Sequence, residues 1–283
     1  MTAAAACWAC GAAAAPSPEY APAPLLRCPV CDLLFEPGRA DSDLRELYGD
    51  EYFDAYPNSP GYADEASRRY EARSRVRWVR RQRPPGKHLL EIGAAQGHFM
   101  EAARDAGFAP VGVEPAPETA RSNARRTGLP VHAGFVQDAP LSAASFDVAC
   151  LWHVLEHIPE PAGVLDRLRT VLRPGGVLCL EVPNAAGVDA CRGGLNWPPL
   201  DLRHHVAHYG PPSLRRLLEG AGFAVTHCAS FPASAYFTPR RALNPRTLVF
   251  YVKQGVAMRA LPRRSHPWKH DLLRAVARRP AGG

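Results

Sequence analysis

The chain has 283 residues, 46% of them hydrophobic and 22% charged, enough for one large core plus a small attachment. No apolar run approaches the roughly eighteen residues of a membrane span, and the Ala-rich start lacks the basic opening and long apolar centre of a signal peptide. The expected setting is therefore cytoplasmic and reducing, which argues against disulfides among the eight cysteines, and the net charge of +7 suits anionic partners and plain solvation alike.

Cys7-x2-Cys10 and Cys28-x2-Cys31 stand 17 residues apart, a spacing expected of a four-cysteine zinc site. Each pair lets two thiolates reach one tetrahedral ion. With sulfur in all four positions no place is left for water, so the ion is expected to be structural. A module of about 40 residues needs such a staple. Residues 1–40 therefore read as a zinc ribbon with Cys7, Cys10, Cys28 and Cys31 as ligands. Cys150, Cys179, Cys191 and Cys228 lie mostly in apolar runs and read as buried small hydrophobes.

Residues 41–84 form a connector. Its first half carries Tyr48, Tyr52, Phe53, Tyr56 and Tyr62, suited to packing the ribbon against the main domain or, as a second option, to a lid. Asp64 to Gln82 is a predicted helix, stopped by Pro84-Pro85-Gly86. Eight arginines fall between Arg68 and Arg83. A solvated helix face is the plain interpretation; attraction to nucleic acid, anionic lipid or a phosphorylated substrate is the sharper one.

A main domain is expected over residues 85–232. Lys87 to Ile92 is a predicted buried strand, followed by a turn with Gly93 and Gly97 and a helix from about Gly97 to Ala106. Dinucleotide folds want Gly-x-Gly-x-x-Gly, and phosphate loops want Lys-Ser/Thr after the last glycine. This turn reads Glu91-x-Gly93-x-x-x-Gly97, with an acid where a phosphate would be repelled. A second strand, Pro110 to Val113, ends at Glu114, 21 residues after Gly93. An acid there can accept hydrogen bonds from both ribose hydroxyls. A helix from about Glu118 to Thr127, a strand near Val131 to Ala133 and the loop Gly134-Phe135-Val136, placed to cover an adenine, come next. The fourth strand, Phe146 to Leu151, enters Trp152-His153-Val154-Leu155-Glu156-His157; a helix from about Pro161 to Leu172 leads to a fifth strand, Val177 to Val182. This alternation predicts an α/β, doubly wound, mostly parallel sheet.

Ala185 to Gly210 is a long polar and aromatic connection where a substrate-specific insertion would sit. Ser213 to Gly220 reads as a helix and Phe223 to Ala229 as a strand. Residues 233–283 form a basic extension. Asn244-Pro245 can open a helix to about Leu261, Thr247 to Val252 can instead be the last strand, and Pro267 to Ala277 reads as a basic amphipathic helix. Weak peripheral contact with an anionic membrane is an option for that helix, a solvated tail the plainer one.

The turn at Glu91 to Gly97 resembles the first motif of class I S-adenosylmethionine-dependent methyltransferases, whose cofactor presents a cationic sulfonium and an amino acid instead of a pyrophosphate. FDVACLWHVLEHIPEP, LRPGGVLCLEVPN and HHVAHYGPPSLRRLLEGAGF are similar to successive motifs of one subfamily, which joins a four-cysteine ribbon and a Tyr-rich connector to a class I core. Its members occur near genes for surface glycans, modified sugars and secondary metabolites, and resemble in their core the O-methyltransferases of quinone synthesis. The resemblance covers about residues 7–230. It implies a Rossmann-like fold and cofactor contacts from Glu91, Gly93, Ala94, Ala95, Gly97, Phe99, Glu114, Pro115, Phe135, Val136, Trp152 and His153. Two positions depart from the pattern: Ala95, where many relatives have glycine, and Phe135, where related enzymes often place an acid for the adenine amino group.

Methyl transfer is an in-line displacement, so the protein's task is mainly positioning in a dry site. An oxygen or carbon nucleophile must also lose a proton, which a histidine can accept. His153, His157, His204, His205 and His208 stand in two segments expected beyond the strand carboxyl ends. The resemblance singles out His205, with Tyr209 as the aromatic of an Arg-His-x-x-x-aromatic stretch, as base or substrate orienter; His157 comes second, and Trp152 and Trp197 are expected as pocket walls. The implied activity is methyl transfer to an oxygen or carbon of a small molecule: a sugar, glycan precursor or secondary metabolite. An RNA methyltransferase is the first alternative, prompted by the ribbon and the basic helix. Against it, no Asn-Pro-Pro-aromatic motif follows the fourth strand, and the helix arginines have few interleaved stacking aromatics, Trp78 among them, so nucleic acid is not the expected partner. A non-catalytic scaffold on the same fold is the second, opposed by the presence of Glu91, Gly93, Gly97 and Glu114.

Overall fold

The computed structural model describes residues 5–39, 65–232 and 270–282. Two knuckles of like geometry open it. In the first, Cys7 N donates to Ala12 O and Gly11 N to Cys7 O, both at 2.8 Å; in the second, Cys28 N donates to Leu33 O and Asp32 N to Cys28 O, both at 2.9 Å. The residue after each second cysteine lies in the left-handed region, Gly11 at φ 72° and Asp32 at φ 66°, which glycine adopts freely and Asp tolerates. The knuckles are joined by short antiparallel strands: β1 (Ala5–Ala6), β2 (Ala13–Pro16), β3 (Leu26–Arg27) and β4 (Leu34–Phe35).

Helix α1 (Glu65–Arg81) follows, as the spacing predicts. Its buried positions, Ala72, Val76 and Val79, recur every three to four residues and pack with Leu89, Val148 and Val177 of the main sheet. The main domain then alternates: β5 (His88–Ile92), α2 (His98–Asp105), β6 (Ala109–Glu114), α3 (Pro117–Thr127), β7 (Val131–Ala133), β8 (Phe146–Trp152), α4 (Ala162–Val171) and β9 (Leu172–Pro183). All seven residues of β8 are buried, as expected of a central strand covered on both faces. Its one acid, Asp147, is satisfied by the His88 amide at 2.9 Å and by Arg173 at 2.7 Å. The connection after β9 holds α5 (Val188–Gly193) and β10 (Ala207–His208); α6 (Pro211–Gly220), β11 (Ala224–Phe231) and β12 (Leu272–Arg278) follow.

The sheet order is β11-β12-β9-β8-β5-β6-β7. Strands β5 to β9 are parallel, and β12 runs antiparallel between β9 and β11. The doubly wound, mostly parallel class expected from the alternation is the one that forms. The C-terminal reading is corrected: residues 272–278 are a strand inside the sheet, not a basic amphipathic helix, so they belong to the main domain. Two opposing burials produced the helical look. Leu272, Leu273, Ala275, Val276 and Ala277 are covered on both sides, so no alternation shows. The arginines between them turn to specific acceptors, Arg274 to Glu181 and Arg278 to the Gly175 and Gln82 carbonyls. The aromatics between Tyr48 and Tyr62, the Thr247–Val252 strand and the helix opening at Asn244 lie outside the described residues.

The ribbon is not a separate bead. Strand β4 pairs with β10, Ala207 opposite Phe35 and His208 opposite Leu34, so the small sheet ends in the main domain. Leu26, Leu33 and Phe35 share one core with Leu155, Ala207 and Tyr209. Among the other cysteines, Cys150 and Cys179 are buried as expected, but Cys191 is exposed on α5.

Candidate active site

The order of strands reverses around β5, and a cavity of about 840 Å³ lies beyond the carboxyl ends of β5, β6 and β8, where this architecture places ligands. All twelve residues expected to meet the cofactor border it, and so do His157 and His205.

The β5 turn owes its shape to two glycines. Gly93 (φ 71°) lies where a Cβ would come within 2.5 Å of Val154 Cγ2, and Gly97 (φ 81°) where it would come within 2.2 Å of Asn123 Oδ1. Buried Asn123 in turn ties the loop down, its amide donating to Ala95 O at 3.0 Å and Ala94 O at 3.3 Å. Ala95 itself sits at φ 43° and donates its N–H to Glu114 Oε2 at 2.8 Å. The left-handed conformation costs an L-residue roughly 1–2 kcal/mol, which Ala95→Gly would release at an unfolded-state entropy cost of about 0.4–1 kcal/mol. Ala95→Gly is therefore expected to leave the melting temperature within a few degrees while tightening S-adenosylhomocysteine binding severalfold; titration of both proteins checks it.

Two buried acids face the cavity. Burial pushes Glu91 well above the usual carboxylate range, Arg75 opposes this and Glu114 adds to it. Its Oε2 is buried without a hydrogen-bond partner, a socket for a cation. Glu114 is pushed up to about 7 by burial, against the amides of Ala116 and Ala95 that bond its two oxygens.

A chain of charges runs along the opposite wall. His153 (φ 56°) places Nδ1 3.1 Å from Glu156 Oε1 and Nε2 3.1 Å from Glu181 Oε1. Burial alone would lower its pKa, but the two carboxylates lift it to about 10, so the ring is a cation. Glu181, fully buried, also binds Arg75 at 2.6 Å and Arg274 at 2.8 Å. Arg75 reaches Glu71 at 2.6 Å and lies over the Trp152 ring at 5.0 Å, while Trp152 meets Phe99 edge to face at 5.1 Å. Burial lowers His157 to about 4, and its ring stands 4.6 Å from that of His205.

Other expectations are redrawn. Trp197 is buried among Tyr20, Leu25 and Leu200 in a satellite core and does not wall the cavity, because the ribbon side of the molecule supplies its apolar neighbours. Tyr209 and His208 are buried, and His204 is held by Asp201 at 2.8 Å; none of these three borders the cavity. Arg68, Glu71 and Arg75 of α1 do border it and were not singled out from the sequence. Their spacing of three and four residues puts them on one helix face, and that periodicity was the available signal. Glu181 was hidden inside an apolar strand.

The four ribbon cysteines pass a geometric test. Cys7 and Cys31 sulfurs stand 3.5 Å apart, as do those of Cys10 and Cys28, and all four lie within 4.8 Å of one another. Zinc–sulfur bonds of about 2.3 Å in a tetrahedron demand sulfur separations of about 3.8 Å. The donors fit zinc. The cavity likewise fits S-adenosylmethionine, with an unpartnered buried acid for its ammonium, a second acid for its ribose and a glycine turn that a Cβ would fill.

Residues 64–228 match the family model described as a methyltransferase domain. The chain is 28% identical over 148 residues to the ubiquinone biosynthesis O-methyltransferase of Idiomarina loihiensis, covering 48% of this chain and 61% of that protein. It is 33% identical over 109 residues to the protein of the same name from Haemophilus ducreyi, covering 35% and 46%. It thus spans less than two thirds of these relatives. A solved S-adenosylmethionine-dependent methyltransferase from Archaeoglobus fulgidus superposes with a TM-score of 0.57 at 16% identity, over 81% of this chain and 100% of that one, a likeness of fold alone. The glycine turn, the two buried acids, the strand order and the family match together establish that the chain belongs to the class I S-adenosylmethionine-dependent methyltransferases.

Proposed function

We propose that this protein methylates an oxygen or carbon of a small acceptor, such as a sugar, a glycan precursor or a secondary metabolite. The observation that carries this reading is a single cavity bordered at once by Glu91, Glu114 and the His157–His205 pair, which gives a cofactor half and an acceptor half. S-adenosylmethionine supplies the activated methyl, displaced in line from its sulfonium sulfur. Glu91 takes the ammonium of the methionine end, and Glu114 accepts the ribose hydroxyls. Phe99, Phe135 and Val136 exclude water around the adenine, Gly93, Ala94, Ala95, Gly97 and Pro115 line the cradle, and Trp152 with His153 closes the wall beside them. His205 faces the acceptor with His157 against it, orients the nucleophile and takes up its proton. The ubiquinone-named relatives support oxygen as the acceptor atom. Zinc in the ribbon is structural, and a reducing, cytoplasmic setting suits its four thiolates.

The reading is tested by titrating purified protein with S-adenosylmethionine and S-adenosylhomocysteine, followed by labelled methyl transfer to a panel of sugars and phenols. Micromolar binding of both is expected. His205→Ala should retain that binding and lose about 100-fold or more in kcat, the usual worth of a positioned acid–base group. Unchanged turnover would remove His205 from the role, and no binding by folded protein would sink the enzyme reading.

A further inference from the structure

Most arginines of α1 have no part in the site described above. Arg75 is bound to Glu71 and Glu181, and Arg68 to Gln96 at the cavity rim. Arg69, Arg73, Arg77 and Arg80 are exposed and line a second cleft, of about 320 Å³, between α1 and α2. Their steps of four, four and three residues put them in one stripe about 16 Å long. The floor between them is apolar, made by Val76 of α1 and by Ala102 and Ala106 on the facing side. Two acids stand on that side, but each has a basic partner of its own: Glu101 pairs with Arg126 at 2.8 Å and Asp105 with Arg104 at 3.0 Å. Arg69 pairs with Glu65 at 2.7 Å, whereas Arg73, Arg77 and Arg80 make no ion pair among the described residues. Like charges one helical turn apart repel, so the stripe weakens the helix it stands on unless something anionic covers it.

We infer that this cleft docks an acidic amphipathic helix of a partner protein. On such a helix, carboxylates three and four residues apart recur at about the 5–6 Å intervals that separate these arginines, and the aliphatic carbons between them fit a floor of valine and alanine. A stripe of this length outruns a single phosphate, which reaches only one or two of the guanidiniums. Single-stranded nucleic acid wants aromatic platforms beside the charges, and no Phe, Tyr or Trp lines the cleft; Tyr70, 6.0 Å from the Arg77 guanidinium, is not among its walls. A membrane surface is flat and holds by apolar insertion as well as by charge. The exposed large hydrophobics among the described residues, Val30 and Leu195, belong instead to the ribbon and to the segment after α5. His98 borders both the cleft and the larger cavity, so a docked partner stands at the cavity rim. For its use, though not for its existence, the surface rests on the methyl-transfer reading: a partner at that rim can present an acceptor that it carries.

The experiment is fluorescence anisotropy of the full chain with a labelled, alanine-rich helical peptide whose glutamates stand four, four and three residues apart, against the same peptide shuffled. Melting curves and S-adenosylhomocysteine binding are measured on the same samples. The ordered peptide is expected to bind, to weaken as salt rises, and to bind about tenfold more weakly to Arg73→Gln/Arg77→Gln/Arg80→Gln, as three rim ion pairs together require. That variant should keep at least the wild-type melting temperature and the wild-type affinity for S-adenosylhomocysteine. The salt and shuffling arms use wild-type protein and decide the matter even if the variant folds poorly. No binding at low salt, equal binding of the shuffled peptide, or no loss in the folded triple variant overturns the docking site. Polyuridylate or phosphatidylglycerol vesicles bound more tightly than the peptide, through the same three arginines, overturn the acidic-helix partner in favour of nucleic acid or membrane. Peptide docking by a protein that binds no S-adenosylhomocysteine leaves the cleft standing and overturns the methyl-transfer reading instead.

Discussion

Glu114→Ala is expected to weaken S-adenosylhomocysteine binding by about 100-fold, since two hydrogen bonds to a charged group are worth roughly 3 kcal/mol together and each 1.4 kcal/mol is tenfold. The same residue sets a pH dependence. Burial holds its pKa at about 7 in the unliganded protein. Below that value the carboxyl keeps a proton and loses acceptor capacity toward the ribose; above it the anion accepts both hydroxyls. Affinity should therefore rise from pH 6 to pH 8 with a bend near 7, and the bend should vanish in Glu114→Gln. The effect on stability has the opposite sign. The folded state holds this proton up to about 7, whereas the ordinary value is 4.5, so the unliganded protein loses stability as pH climbs through that window. Calorimetric titration at three pH values measures the affinity, and melting curves over the same range measure the stability. A flat affinity profile in the wild type would mean that Glu114 does not bear on the ribose.

Cys28→Ser is expected to lower the melting temperature by roughly 10 °C or more and to depress turnover, although no cysteine of the ribbon borders the cavity. The route is physical and short. Losing zinc frees β4, and β4 is the partner of β10. Glu36 N also bonds Val206 O at 2.9 Å, Arg39 bonds the carbonyls of Leu202 and Arg203, and Val206 N bonds Glu156 O. The ribbon thus pins the stretch that carries His205 and ties it to the segment that carries His157. Zinc content, melting curves and methyl transfer on the variant check this. A zinc-free protein with full turnover would show the ribbon to be a passenger.

Most strands of the parallel sheet were legible because each is a short apolar run between turn signals, and the fifth proved longer, by Leu172 to Gly176 at its start and Pro183 at its end. That Glu91, Gly93, Gly97 and Glu114 border one cavity was legible too, since they stand at fixed spacing at the ends of two neighbouring strands. Contacts made at a distance were not. Nothing near Glu181 announces that Arg75, His153 and Arg274, spread over 200 residues, converge on it. Nor does anything in Ala207-His208 announce a strand, because two residues have no period; they become one only against β4. Strand β12 misled for a related reason, its polarity being set by partners on neighbouring elements.

Strand β12 also dictates an order of events during synthesis. It lies between β9 and β11, so β9 leaves the ribosome with one hydrogen-bonding edge bare and β11 with no strand partner among the described residues, and both stay so until the chain has been made past Arg278. Through that interval β9, whose last eight residues are all buried in the finished sheet, offers an apolar unpaired edge to any other strand nearby. Closure must then bring Leu272 back from 41 residues beyond Phe231, against an entropy that grows only slowly with loop length. The nascent chain is consequently most exposed to mispairing just before Leu272 to Arg278 are made, when the strand ends that border the cavity have already been made.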